Sequence, residues 1–288
     1  MEEYDFSVTI IGLGLIGGSY AEALMKLKLS SGDFKPKYIY GVDINKNNIE
    51  EALRRGLIDE GYLEGEVPLK KSHILILAIY PSHIPSFIKE NIEYIKAGTI
   101  ITDTSGIKEK LLEDMKCILP KGVYFVGGHP MAGKEKQGIQ MASRDIFTGC
   151  NYIITPSENS TESSIAIIEN IARAIGSKNV IRISPKQHDE IIAYTSHLPH
   201  IIAVSLMNSN DTGIDASSFI GGSFRDATRV AAINLKLWSE LLIDNGEYII
   251  NRLDAFDEKI SEIREAIVKG DRALLEHRLH NGLIKDGE

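Results

Sequence analysis

The sequence is short of the residues that staple small domains or anchor membrane proteins. It holds two cysteines in 288 residues, Cys117 and Cys150. They lie far apart with no second pair, which excludes a disulfide framework or a four-cysteine zinc site. No run of about 18 apolar residues occurs, so no membrane span is predicted. The opening MEEYDFS lacks the positive charge of a secretory signal, and the expectation is a cytoplasmic protein. Basic charge is not in excess either. Lys and Arg number 32 against 40 Asp and Glu, for a net charge of −8, which argues against nucleic acid as a partner. A small anionic substrate stays open, because a few arginines can dominate the field inside a cleft. What remains, 43% hydrophobic and 25% charged residues, is an ordinary globular composition with room for about two domains.

Residues 1–183 alternate short β-branched runs with longer amphipathic stretches. The runs are SVTII (7–11), KYIYGV (37–42), HILILAI (73–79), TIIT (99–102), VYFV (123–126), NYIIT (151–155) and NVIRI (179–183). Seven strands in βαβ order predict one mainly parallel sheet. Helices are expected at 15–29, 45–55, 82–95, 108–119 and 160–175. After Ile183 the β-runs stop. Ser184, Pro185 and Gln187 form a capping-box pattern that opens an all-helical domain over 184–288. Within it Ile249, Leu253, Phe256, Ile260, Ile263 and Ile267 lay an apolar stripe along one helix. That stripe offers a face for a second copy of the chain.

SVTII runs into Gly12-Leu13-Gly14-Leu15-Ile16-Gly17, so a G-x-G-x-x-G pattern follows a strand and opens a helix. Gly12 suits the tight turn, Gly14 the close approach of a pyrophosphate and Gly17 the packing of helix on sheet. The next strand ends at Asp43, whose carboxylate can hold the ribose hydroxyls and repel a 2′-phosphate, which favours NAD over NADP. A rival phosphate loop, Gly128 to Lys134 as G-x-x-x-x-G-K, is followed by Glu135 rather than Ser or Thr, and a carboxylate there would repel phosphates.

His129, in GGHPMAG, follows a strand at the sheet's expected ligand-binding edge, on an exposed turn where an imidazole can serve as a base. His197 and His200 share a helix face in SHLPH, and Pro199 between them should kink the helix. Two histidines without a third ligand make no metal site, and none is expected. Arg225, Asp226 and Arg229 follow a glycine pair in GGSFRDATR. Arg225 and Arg229 lie at i, i+4 spacing, suited to carboxylate recognition.

Through IIGLGLIGGS, GHPMAG with Glu135, SHLPH, and GGSFRDATR with Trp238 downstream, the sequence resembles the prephenate and arogenate dehydrogenases of tyrosine biosynthesis. The resemblance implies a Rossmann-like NAD-binding domain over 1–183, a helical substrate and dimerisation domain over 184–288, and a homodimer. It implies oxidative decarboxylation of prephenate to 4-hydroxyphenylpyruvate with NAD as cofactor. By similarity His129 draws off the proton of the ring hydroxyl, and His200 and Arg229 bind substrate, Arg229 facing a carboxylate. His197, Glu135, Asp226 and Trp238 shape the pocket or its polar network. One segment departs: the family's Asp-x-Gly-Ser-x-Lys reads D-T-S-G-I-K over Asp103 to Lys108 here. Ser105, one place early, is the candidate for the serine that touches the hydroxyl. The alternatives are arogenate or dual-specificity activity, another two-domain NAD-dependent hydroxyacid dehydrogenase or imine reductase, and a non-catalytic NAD-binding sensor.

Overall fold

The first apolar run forms β1 (Phe6–Ile11), and all six of its residues are buried, as in a parallel strand covered on both faces. The computed structural model describes residues 6–32, 34–133, 137–214 and 216–280. Among them β1 is joined by β2 (Pro36–Val42), β3 (Glu60–Tyr62), β4 (Ile74–Leu77), β5 (Ile100–Asp103), β6 (Tyr124–Pro130), β7 (Asn151–Pro156) and β8 (Asn179–Arg182). The sheet order is β3-β2-β1-β4-β5-β6-β7-β8. Every pairing is parallel except that of β6 with β7.

Strand alternation divides the apolar side chains between two faces. Val8, Ile10, Ile74, Ile76 and Ile100 enter one core with Tyr20 and Leu24 of helix Leu15–Lys28 and Ile165, Ile168 and Ile171 of helix Glu162–Ala174. Ile11, Leu75, Leu77 and Ile101 enter a second core with Ile84 and Ile88 of helix Ile84–Asn91 and Leu111, Leu112 and Met115 of helix Glu109–Ile118.

Three features differ from the sequence expectation. β3 is an eighth strand that the sequence does not announce: Glu60-Gly61-Tyr62 has no β-branched residue and forms by pairing with Tyr40, Gly41 and Val42 of β2. β6 does not stop at Val126. The antiparallel ladder to β7 continues through Gly127, Gly128, His129 and Pro130, so His129 sits at the end of a strand and is partly buried, not on an exposed turn. Gly128 is likewise inside the strand, its N–H donated to Asp103, where no phosphate loop could form. The helix expected over 82–95 is split into Pro81–His83, Ile84–Asn91 and Ile92–Tyr94, the outer pieces being 3₁₀ turns.

By compactness the chain divides into Met1–Ile192 with Ala232–Asp244, and Ala193–Ala231 with Asn245–Glu288. The first unit contains the sheet and helix Pro185–Ile192, which opens on the anticipated capping box: Gln187 N–H donates to Ser184 Oγ at 3.2 Å and Ser184 N–H to Gln187 Oε1 at 3.1 Å. Among its described residues the second unit is helical, with α-helices Leu198–Asn208, Gly222–Thr228, Gly246–Lys269 and Arg272–His280.

Candidate active site

The nucleotide loop leaves β1 at the point where strand order reverses between β1 and β4, the position at which open α/β sheets bind ligands. Gly12 has φ +89°, and a Cβ there would stand 2.5 Å from the Ala78 carbonyl oxygen, so both backbone shape and space demand glycine. A Cβ on Gly17 would collide with the Gly12 carbonyl, which fixes how closely helix Leu15–Lys28 approaches the strand. Around Gly14 nothing lies within 4 Å of a notional Cβ. That helix begins without a side-chain cap and without an acidic residue in its first turn, leaving its positive end suited to a phosphate. Leu13, Leu15 and Ile16 fill the positions between the glycines, and Leu13 N–H donates to Asp43 Oδ2 at 2.7 Å. Asp43 also accepts from the Asn45 N–H at 2.8 Å and from Asn48 Nδ2 at 3.1 Å. The carboxylate is therefore held at the mouth of the loop. Open space at Gly14, an uncapped helix end and a fixed acid at the end of β2 together fit a dinucleotide.

At the carboxyl end of β6 the imidazole of His129 meets that of His188, Nδ1 to Nε2 at 2.8 Å, with ring planes inclined by 59°. His188 is fully buried, and its Nδ1 lies 2.7 Å from Asp189 Oδ1. Asp189 in turn accepts the backbone N–H groups of Lys108 and Glu109, each at 2.8 Å, and so caps helix Glu109–Ile118.

The D-T-S-G-I-K segment links β5 to that helix. Lys108 Nζ donates to Asp103 Oδ2 at 2.7 Å and to the Ser105 carbonyl at 2.7 Å, with no exposed surface on either charged side chain. Burial pulls the Lys108 pKa below its ordinary value, and the Asp103 carboxylate opposes that pull. Ser105 is buried; its hydroxyl donates to Asp103 and accepts from Lys108 Nζ at 3.2 Å. Gly106, the next residue, is the one beside His129: a Cβ on it would lie 3.8 Å from His129 Cε1. Trp238 is half-buried in helix Leu235–Asp244. This stretch is held to the sheet unit by Asn234, whose amide donates to the Tyr80 hydroxyl at 3.0 Å and to Gln137 at 2.9 Å. Glu135 lies outside the described residues.

In the second unit, the segment before Pro199 is π-helical over Ala193–His197. Proline cannot donate to the Thr195 carbonyl, and the wider turn accommodates its ring at the expected site of distortion. His197 is buried and accepts from Asn245 Nδ2 at 3.1 Å. His200 is half-buried, its Nδ1–H donated to the Ser196 carbonyl at 2.8 Å. Burial holds its pKa below the ordinary histidine value, the Ser196 carbonyl raises it and the Arg229 charge lowers it. His200 therefore presents a neutral ring near a guanidinium. Arg225 and Asp226 are exposed on helix Gly222–Thr228, and Arg229 follows it.

Sequence reasoning missed His188, Asp189 and the role of Lys108. P-K-Q-H-D-E reads as a polar first turn, and only the packing of its helix beside β7 and Glu109–Ile118, with His188 against His129, reveals a buried histidine.

The geometry agrees with the relatives. Residues 30–181 match the family model described as prephenate dehydrogenase, nucleotide-binding domain, and residues 184–281 match prephenate dehydrogenase, dimerization domain. The chain is 31% identical over 282 residues to the prephenate dehydrogenase of Lactococcus lactis subsp. cremoris, covering 96% of this chain and 75% of that one. It is 30% identical over 280 residues to the enzyme of the same name from Bacillus subtilis, covering 94% and 72%. The crystal structure of prephenate dehydrogenase from A. aeolicus in complex with hydroxyphenyl propionate and NAD+ superposes with a TM-score of 0.85 at 28% identity, covering 96% of this chain and 95% of that one. With both halves matched in order and the nucleotide loop folded as such a domain requires, the chain belongs to the prephenate dehydrogenase family.

Proposed function

We propose that this chain oxidatively decarboxylates prephenate to 4-hydroxyphenylpyruvate in tyrosine biosynthesis, with His129 as the base. The observation that supports this most directly is topological. The Gly12–Gly17 loop follows β1 and His129 ends β6, so the dinucleotide loop and the imidazole lie at the carboxyl edge of one sheet.

NAD, when bound, would supply the hydride acceptor for the hydroxyl-bearing ring carbon. His129 takes the hydroxyl proton, the ring carboxylate leaves as CO₂ while its bonding electrons complete the aromatic ring, and His129 returns the proton to the resulting phenolate oxygen. Aromatisation supplies the driving force, so the protein's task is to orient the ring and stabilise shifting charge. The Gly12–Gly17 backbone and the end of helix Leu15–Lys28 would hold the pyrophosphate, and Asp43 the ribose hydroxyls. Arg229 pairs with a substrate carboxylate, and the neutral His200 ring hydrogen-bonds the substrate. Asp226, His197, Trp238 and Glu135 shape the pocket or its polar surroundings by the same resemblance, and Arg225, one helical turn before Arg229, is a second guanidinium suited to a substrate carboxylate. Ser105, whose hydroxyl bonds Asp103 and Lys108, is kept as the candidate for the serine that touches the ring hydroxyl.

We keep 1–183 as the nucleotide-binding and 184–288 as the substrate and dimerisation division. A homodimer through the helical part is supported by the stripe on helix Gly246–Lys269, where Ile260 and Ile267 stay exposed. Among the described residues no helix is long and apolar enough to cross a membrane. Cys117 and Cys150 are both free thiols, which fits a reducing cytoplasm.

The test is NADH formation on mixing the purified chain with NAD and prephenate, with arogenate and NADP run in parallel. Fast NADH production from prephenate is expected. Absence of turnover with both ring substrates would overturn the assignment.

A further inference from the structure

A base needs a defined tautomer, and in this protein the tautomer of His129 is set two residues away from the reacting proton. Asp189 is fixed by two backbone N–H groups at the start of helix Glu109–Ile118. A carboxylate only accepts, so the 2.7 Å contact to His188 Nδ1 requires the proton on that nitrogen. In the neutral His188 ring Nε2 then accepts. The 2.8 Å contact from His129 Nδ1 to that atom requires a proton on His129 Nδ1. In the neutral ring of His129 the other nitrogen, Nε2, then carries no proton.

We propose that His188 and Asp189 are positioning residues that hold His129 in its Nδ1–H tautomer and make Nε2 the proton-accepting atom. This rests on the reading of His129 as the base. The logic is that of a base oriented by a third group, with an imidazole inserted between carboxylate and base. The insertion follows from geometry: Asp189 is occupied in capping a helix, and the His188 ring spans the gap to β6. When His129 takes up the substrate proton, both its N–H groups are donors. The Nδ1–H bond to His188 then strengthens, because His188 is backed by an anion.

The experiment uses the full chain labelled with ¹⁵N-histidine. Long-range proton–nitrogen spectra distinguish a protonated ring nitrogen from one with a lone pair, and the His129 signals are assigned by their loss in His129→Asn. In the wild type, a protonated Nδ1 and an unprotonated Nε2 are expected at neutral pH. His188→Leu should mix the tautomers and lower kcat for prephenate about tenfold or more with little change in KM. His188→Gln, whose Oε1 can accept from His129 Nδ1–H, should restore the tautomer and much of kcat. If the Leu variant does not fold, the wild-type and Gln spectra still decide. A wild-type His129 protonated on Nε2, or a His188→Leu protein with unaltered tautomer and kcat, overturns the proposal. A chain with the Nδ1–H tautomer and no dehydrogenase activity overturns the proposed function and leaves the hold on His129 standing.

Discussion

Lys108 and Asp103 are bonded, Nζ to Oδ2 at 2.7 Å, with neither side chain reached by solvent. Asp103 also accepts the Gly128 N–H at 3.1 Å, so one buried pair ties the end of β5 to the strand that carries His129. Replacing Lys108 by Met leaves the carboxylate buried and unpaired, which should cost about 3–5 kcal/mol. The exposed pair of Lys110 with Asp244 provides the contrast. Lys110→Met should cost less than about 1 kcal/mol. Urea unfolding of both variants measures the difference, and equal losses would refute this account of the buried pair.

Gly12 and Gly14 should fail differently when changed to alanine. At Gly12 the Cβ meets the Ala78 carbonyl and the backbone is left-handed, so Tm should drop along with NAD affinity. At Gly14 the Cβ enters open space. There Tm should hold while the Kd for NAD rises, as read by calorimetric titration beside thermal melts.

His129→Asn should keep prephenate binding and lose turnover. General-base assistance is typically worth about 10² to 10⁴ in rate, so kcat should fall by that range while KM changes little. Unchanged kcat in stopped-flow or steady-state assays would remove His129 from the mechanism.

Arg229→Lys tests shape as well as charge. Lysine keeps the cation but loses the planar fork that grips a carboxylate. KM for prephenate should rise with kcat nearly unchanged, and Arg229→Ala should raise it further. Equal KM values in all three proteins would count against a carboxylate contact.

His200 ties stability to pH with a defined sign. Its pKa in the folded chain is lowered, chiefly by burial, so the unfolded chain takes up the proton first as pH falls. The unfolding free energy should therefore drop as pH passes below about 6.5, and this loss should cease below the folded pKa. His200→Gln should flatten that part of the profile. An identical pH profile in the variant would show that this group is not the source.

Much of the candidate site is legible in the chain itself because local rules write it there. Strand, glycine spacing and terminal acid identify the loop at Gly12–Gly17 and Asp43, since phosphate approach depends on backbone shape over a few residues. The capping box at Ser184 and the disturbance before Pro199 are equally local, each a matter of which N–H groups exist. Tertiary structure decided what depends on partners distant in sequence. β3 exists only because β2 offers it an edge. β6 extends to His129 because β7 returns antiparallel and supplies the ladder. Ser105 turns to Asp103 because Lys108 is buried beside them. The pairing of His129 with His188 comes from helix packing across 59 positions. Periodicity marks which face of an element is apolar, but a polar residue becomes a hydrogen-bonded core residue only when another element brings its partner to it and excludes the water.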